Sequence, residues 1–243
     1  GSRGIGRALS LALARAGATV YTCARSHRQL DETVDMLEDG GELVAQTADV
    51  TKPAQIEQLV DRIERDEGGL DILVNNAGIL GPRARIEKVD LADWRQVMEV
   101  NVDGPFIVSK AAIPLLRASD GGVVINVSSS VGRRGRGGWG PYAVSKHGLE
   151  GLTDTLADEL EEDAVCVVSA NPGGTATEMR AEAYPEEDPD TIPSTDRVAE
   201  TLVLMAEVLE VDQTGRKYNC RELFEAAEAD QRPDGHVLPH LDD

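Results

Sequence analysis

Gly1-Ser2-Arg3-Gly4-Ile5-Gly6 opens the chain, and Arg7-Ala8-Leu9-Ser10-Leu11 continues it with helical spacing of the apolar positions. Ala18-Thr19-Val20-Tyr21-Thr22-Cys23 then reads as a strand. A glycine-rich turn at a helix N-terminus lets backbone N–H groups approach a pyrophosphate closely. A strand directly after that helix makes the segment a mononucleotide-binding unit rather than a run of loop glycines. Gly1, Ser2, Arg3, Gly4, Ile5 and Gly6 are therefore candidate cofactor-binding residues. Arg25 follows the strand, where an acidic residue would bind a ribose 2′-hydroxyl and an arginine suits a 2′-phosphate. With Arg3 as a second cation in the loop, NADP(H) is expected ahead of NAD(H), which stays possible.

The same alternation runs on. Strands are expected at 18–23, 43–46, 72–74, 123–127 and 165–169, and helices near 5–16, 26–39, 53–67, 92–117, 141–162 and 196–209. Strands that read as near-continuous apolar runs, joined through helices, imply a parallel sheet buried on both faces. The expected fold is α/β, a three-layer Rossmann-like doubly wound sheet with helices on both faces. No repeat or linker interrupts the chain, so one dinucleotide-binding oxidoreductase domain is expected over 1–243, with a polar tail from about 228. Residues 181–195 are acidic and Pro-rich and read as a mobile loop.

Tyr142 and Lys146 lie four residues apart in Pro141-Tyr142-Ala143-Val144-Ser145-Lys146, on one face of an expected helix, with Ser129 thirteen residues before the tyrosine. A nearby cation favours phenolate. A free phenol, with a pKa of about 10, is otherwise a poor base near neutrality. So tuned, Tyr142 could exchange a proton with a substrate oxygen.

Composition narrows the partners. The 243 residues carry 44 acidic and 24 basic side chains, a formal net charge of −20. Lysine is scarce: Lys52, Lys88, Lys110, Lys146 and Lys217 are all there are. Such self-repulsion opposes compaction in dilute buffer and disfavours nucleic acid or an anionic membrane as partners. Salt screens it, so a halophile-type surface is expected. Apolar runs fall short of the roughly 18 residues of a membrane span. Cys23, Cys166 and Cys220 are scattered, without metal or disulfide spacing. A cytoplasmic setting and no metal are expected.

Taken together, the motifs resemble those of the short-chain dehydrogenase/reductase family, in its compact single-domain branch, over roughly residues 1–180. The opening glycines match the end of that family's T-G-x-x-x-G-x-G loop. Asp49-Val50 falls where the family's aspartate binds adenine, Asn75-Asn76-Ala77-Gly78 is its N-N-A-G, and Asn101 takes the place of its active-site asparagine. Ser129, Tyr142 and Lys146 match its catalytic residues, and Asn171-Pro172-Gly173-Gly174-Thr175-Ala176-Thr177 contains its P-G-x-x-x-T. The resemblance implies hydride transfer between the cofactor and a carbonyl or secondary alcohol. Tyr142 would be the general acid/base, with Lys146 lowering its pKa, Ser129 binding the substrate oxygen and Asn101 holding a relay water or fixing a helix kink. It adds Asp49, Val50, Asn76, Ala77, Gly78, Pro172, Gly173, Thr175 and Thr177 to the cofactor set, beside Tyr142 and Lys146. A small-molecule substrate and a homodimer or homotetramer are the implied partners.

Three features depart from the family pattern. The family's first strand and Thr-Gly pair precede the point where this sequence starts, so a fragment of a longer protein is expected, with an empty slot between its second and fourth strands. Arg133, Arg134 and Arg136 crowd the run between serine and tyrosine. Pairing with acidic surface is expected of them ahead of steering an anionic substrate. After Gln213-Thr214-Gly215-Arg216-Lys217-Tyr218-Asn219, which is similar to the start of the family's last strand, the sequence from Cys220 has no familiar ending. A catalytically silent cofactor-binding scaffold and an isomerase or dehydratase are the competing functions. The intact serine–tyrosine–lysine set disfavours the first, and the compact length disfavours the epimerase branch of the second.

Overall fold

Val123–Val127 and Cys166–Asn171 are buried at every position, as strands covered on both faces must be. In the computed structural model, which describes residues 1–37 and 40–228, they are β4 and β5. The preceding strands are β1 (Thr19–Ala24), β2 (Glu42–Thr47) and β3 (Ile72–Asn75), and β6 (Lys217–Asn219) comes last. All pairings are parallel. The helices are α1 (Gly4–Arg15), α2 (His27–Asp35), α3 (Pro53–Glu67), α4 (Leu91–Met98), α5 (Gly104–Ala118), α6 (Gly140–Leu160), α7 (Glu178–Ala183), α8 (Thr195–Val208) and α9 (Cys220–Glu228).

The architecture is the expected α/β one, with helices on both faces. Leu9 of α1, Val198, Leu202 and Met205 of α8, and Leu223 and Phe224 of α9 cover one side through Ile125, Val168 and Ala170. Leu116 of α5 and Leu156 and Leu160 of α6 cover the other through Val124, Val165 and Val167. The strands form two ladders rather than one continuous sheet, β1-β2 and β3-β4-β5-β6. β1 and β3 do not pair, so the open slot expected between them is present as a break in hydrogen bonding. Side chains bridge it: Leu59 and Ile63 of α3 pack with Leu115, Tyr21 and Cys23.

Local signals explain the boundaries. Pro53 occupies the first turn of α3, and Gly68, at φ 78°, ends it in the left-handed conformation. Gly4 starts α1 at φ 52°, a value costly for any side chain. The helix expected over 92–117 is divided by a π-helical turn, Glu99–Asp103, between α4 and α5. The loop expected over 181–195 begins within α7 and contains a short 3-10 turn at Pro189–Thr191. The unfamiliar ending from Cys220 folds as α9. The polar tail expected from about 228 lies outside the described residues. Among the described residues, no helix is long and apolar enough to cross a membrane.

Candidate functional site

The C-terminal ends of the strands open onto a cleft of about 850 Å³. Such crevices are where ligands of open α/β sheets bind. Its lining unites most of the residues singled out from sequence: Gly1 to Ile5, Arg25, Asp49, Val50, Asn76, Ala77, Gly78, Ser129, Tyr142, Lys146, Pro172, Gly173, Thr175 and Thr177. Gly6 lies just behind, where a Cβ would come within 2.6 Å of the Asn76 amide. Asn101 is fully buried beneath the cleft floor.

A polar ladder fixes the floor. The Asn75 amide donates to Ser109 Oγ at 3.0 Å and to Asn126 Oδ1 at 2.9 Å, and Asn126 donates to Thr153 Oγ1 at 2.9 Å. This ties β3, β4, α5 and α6 together directly below Asn76-Ala77-Gly78. Asn101 sits in the π turn, a distortion often found at functional sites. Its carboxamide accepts from Ile79 N at 2.8 Å and donates to Ile79 O and to Ser145 Oγ, each at 2.9 Å. The amide is thereby saturated as a donor and clamps the loop after β3 onto α6. A Cβ on Gly78 would lie 3.4 Å from Asn101 Oδ1 and 3.8 Å from Lys146 Nζ, in ordinary contact with both.

Ser129 lies beside Tyr142, where its hydroxyl favours the phenolate form. Of the three adjacent serines, Ser129 is the one beside the tyrosine; the Ser128 hydroxyl is buried without a partner. Lys146 donates to Val127 O at 2.7 Å and lies 5.8 Å from the centre of the Tyr142 ring. The expected lowering of the tyrosine pKa is not found in this state. Burial pushes Tyr142 up to about 12, against the opposing effect of the Ser129 hydrogen bond. Burial also pushes Lys146 down to about 8, with Glu150 one turn away acting in the opposite sense. Desolvation outweighs the pair's attraction because the ammonium is spent on a carbonyl rather than aimed at the phenol oxygen.

At the other end of the cleft, Arg25 is exposed on the rim and faces Asp49. Burial raises the Asp49 pKa, but two hydrogen bonds from Thr51 at 3.0 and 2.9 Å, with Arg25 and Lys52 nearby, hold it below the usual carboxylate value. Arg3 reaches across the mouth to Glu178 at 2.7 Å, so its charge is shared with the start of α7. That pair is exposed and worth at most about 1 kcal/mol, so it can re-form around an incoming anion. The site fits a dinucleotide on these grounds. A glycine turn at the α1 N-terminus adjoins a long cleft with a cationic rim at one end and the Ser129–Tyr142 pair at the other. Among the described residues, no group of three or more His, Cys, Asp or Glu side chains is placed to hold a metal.

Sequence reading missed the cluster that closes the substrate end. Trp139 lies against Tyr142 and Tyr184, with ring centres 6.0 and 5.8 Å away. Arg83 stacks on Trp139 at 4.4 Å and on Tyr184 at 5.1 Å and donates to Ala183 O, joining the loop after β3 to the segment after α7. No local pattern marks these residues, which are a hundred positions apart; the one available signal was two aromatics in a chain with only 3%. Of the three neighbouring arginines, Arg133 turns inward to Glu150, Ser169 and Tyr218 O, at 3.4, 3.3 and 2.9 Å. Arg136 instead donates to Tyr184 OH at 3.1 Å.

Comparison with known proteins agrees with this geometry. Residues 1–188 match the short chain dehydrogenase family. An uncharacterized oxidoreductase of Escherichia coli K12, YciK, is 38% identical over 79% of this chain and 77% of its own length. The NADPH-dependent pterin aldehyde reductase of Arabidopsis thaliana is 37% identical over 75% of each. A short chain dehydrogenase of Shigella flexneri 2a, solved in complex with NADP, superposes with a TM-score of 0.84 at 34% identity, covering 90% of this chain and 93% of that one. The cleft, its polar floor and these similarities together place the chain in the short-chain dehydrogenase/reductase family, as an oxidoreductase acting on carbonyl and alcohol groups.

Proposed function

We propose that the protein moves hydride between NADP(H) and a ketone, aldehyde or secondary alcohol, with Tyr142 as the proton-transferring residue. The observation that carries this reading is the meeting of Ser129, Tyr142 and Lys146 in one cleft whose far rim carries Arg25 and Arg3. NADP(H) supplies the hydride when bound. The NADP complex of the Shigella protein and the NADPH dependence of the plant reductase support that choice of cofactor. Gly1 to Gly6 and the start of α1 hold the pyrophosphate; Arg25, helped by Arg3, takes the 2′-phosphate; Asp49 and Val50 border the adenine. Asn76 to Gly78 and Pro172 to Thr177 hold the nicotinamide half.

The protein's own groups do the rest. In reduction, Tyr142 gives its proton to the substrate oxygen, and a phenol held at about 12 is fully protonated and ready to do so. Ser129 donates to the same oxygen as charge develops there. Lys146, near pKa 8, alternates between charged and neutral within the physiological range and returns protons toward the tyrosine. Asn101 holds the loop after β3 and the π turn in place. Tyr142→Phe is expected to keep NADPH binding, read by nucleotide fluorescence, and to lose about 10²- to 10⁴-fold in kcat. Near wild-type turnover would remove Tyr142 from this role.

Two further readings accompany this one. The charge of −20 with five lysines supports a surface adapted to molar salt. Exposed Leu91, Phe106 and Val144, on α4, α5 and α6, support a homodimer formed through those helices.

A further inference from the structure

We propose that the substrate carries an oxyanion, a carboxylate or a phosphate ester, in addition to its reacting carbonyl, and that Arg136 receives it. This inference rests on the hydride-transfer reading of the main cleft. A second cavity of about 210 Å³ adjoins the first, and Ser129 and Trp139 line both. A ligand whose carbonyl lies at Ser129 and Tyr142 therefore extends into it without leaving the protein.

The walls of this cavity carry two guanidiniums and no carboxylate. Ser129 and Ser130 contribute hydroxyls, and Arg136 and Arg180 contribute guanidiniums. Arg180 is already neutralised, giving two hydrogen bonds to Glu187 at 2.5 and 2.6 Å. Arg136 is not: its hydrogen bond goes to the Tyr184 hydroxyl, and it makes no ion pair among the described residues. Arg83, behind the Trp139 and Tyr184 rings, is likewise held by rings and a carbonyl rather than by a carboxylate. The indole N–H of Trp139, between these two arginines, has no acceptor. Arg83 and Arg136 both lie against the Trp139 ring, and among the described residues neither has a carboxylate partner, in a chain with 44 acidic side chains. Guanidinium on the aromatic faces disfavours a cationic ligand, and the unpaired Arg136 favours an anionic one.

The test compares straight-chain oxo-carboxylates of increasing length with their amides, and with a keto phosphate ester, in wild type and Arg136→Gln. The wild type is expected to show a KM about ten-fold lower for the anion than for the matching amide, a ratio that falls toward one in Arg136→Gln. Preference for the carboxylate or for the phosphate identifies the oxyanion. A second readout needs no turnover. In a Trp94→Phe background Trp139 is the sole tryptophan, and its emission should respond to a non-reducible carboxylate in the NADP⁺ complex but not to the amide. Arg136→Gln should abolish that response. Equal KM for anion and amide, or a Trp139 response that is the same for both or survives Arg136→Gln, overturns the proposal. Absence of NADPH oxidation with every ketone overturns the hydride-transfer reading instead, and the titration then still decides the anion site.

Discussion

Lys146 is buried with a charge that its surroundings only partly support. Its usual pKa of 10.5 is depressed to about 8 by burial. Between those values the folded protein binds fewer protons than the unfolded chain, so this group makes stability rise with pH across that window. Tyr142 acts oppositely: its usual value of 10.0 is raised to about 12 by burial, so stability falls as pH climbs between them. The combined contribution grows from about pH 8 and turns over near pH 10. Lys146→Met should therefore stabilise the protein at neutral pH by about 1–3 kcal/mol, while abolishing turnover. Urea unfolding should show this gap closing toward pH 10; a methionine variant less stable than wild type at neutral pH would contradict it. The residue identities were legible in Tyr142-Ala143-Val144-Ser145-Lys146. Their protonation was not, because desolvation is set by Val127, Gly132 and the rest of the assembled cleft rather than by spacing along one helix.

Among the elements, those with complete local signals fell where the sequence placed them. α3 runs from Pro53 to the glycine after Glu67, and β4 has the expected bounds. A kink at Asn101 was one of the two readings the sequence offered, and the structure shows it as the π turn Glu99–Asp103, whose extra residue a single short stretch does not reveal by spacing alone. It changes the direction of Asn101, which a regular helix would carry elsewhere on the surface. α9 was missed for another reason: nine residues offer too few turns for periodicity to stand out. Tertiary packing reveals its purpose, since Leu223 and Phe224 are 5% and 6% exposed and close one face of the core. Phe224→Ala should cost about 3–5 kcal/mol of stability. The effect on kcat should be small, because the helix lies away from Tyr142. An unchanged urea midpoint would show that α9 merely rests on the core.

Over the whole molecule, the net charge of −20 is spread on a surface whose ion pairs are mostly exposed, such as Arg28–Glu32 and Arg221–Glu225. Pairs of that kind contribute little, so unscreened repulsion dominates in dilute buffer. Molar KCl should raise the thermal midpoint well above its value in dilute buffer; equal midpoints would exclude a salt-adapted surface. The topological class was legible at this scale from strand–helix alternation, and the gap between β1 and β3 was expected from the motif resemblance. Side chains from α3 span the break at Leu59, Ile63 and Leu115, and α1 spans it too, with Ser10 hydrogen-bonded to Thr22 of β1 and Leu9 in the core of the other ladder. The helix that begins at the glycine turn therefore packs on the strand leading to Arg25 and on the sheet that carries the proton-transfer end of the cleft. A substitution on the buried face of α1, such as Leu9→Ala, should therefore be felt at both ends of the cleft, although Leu9 itself touches neither.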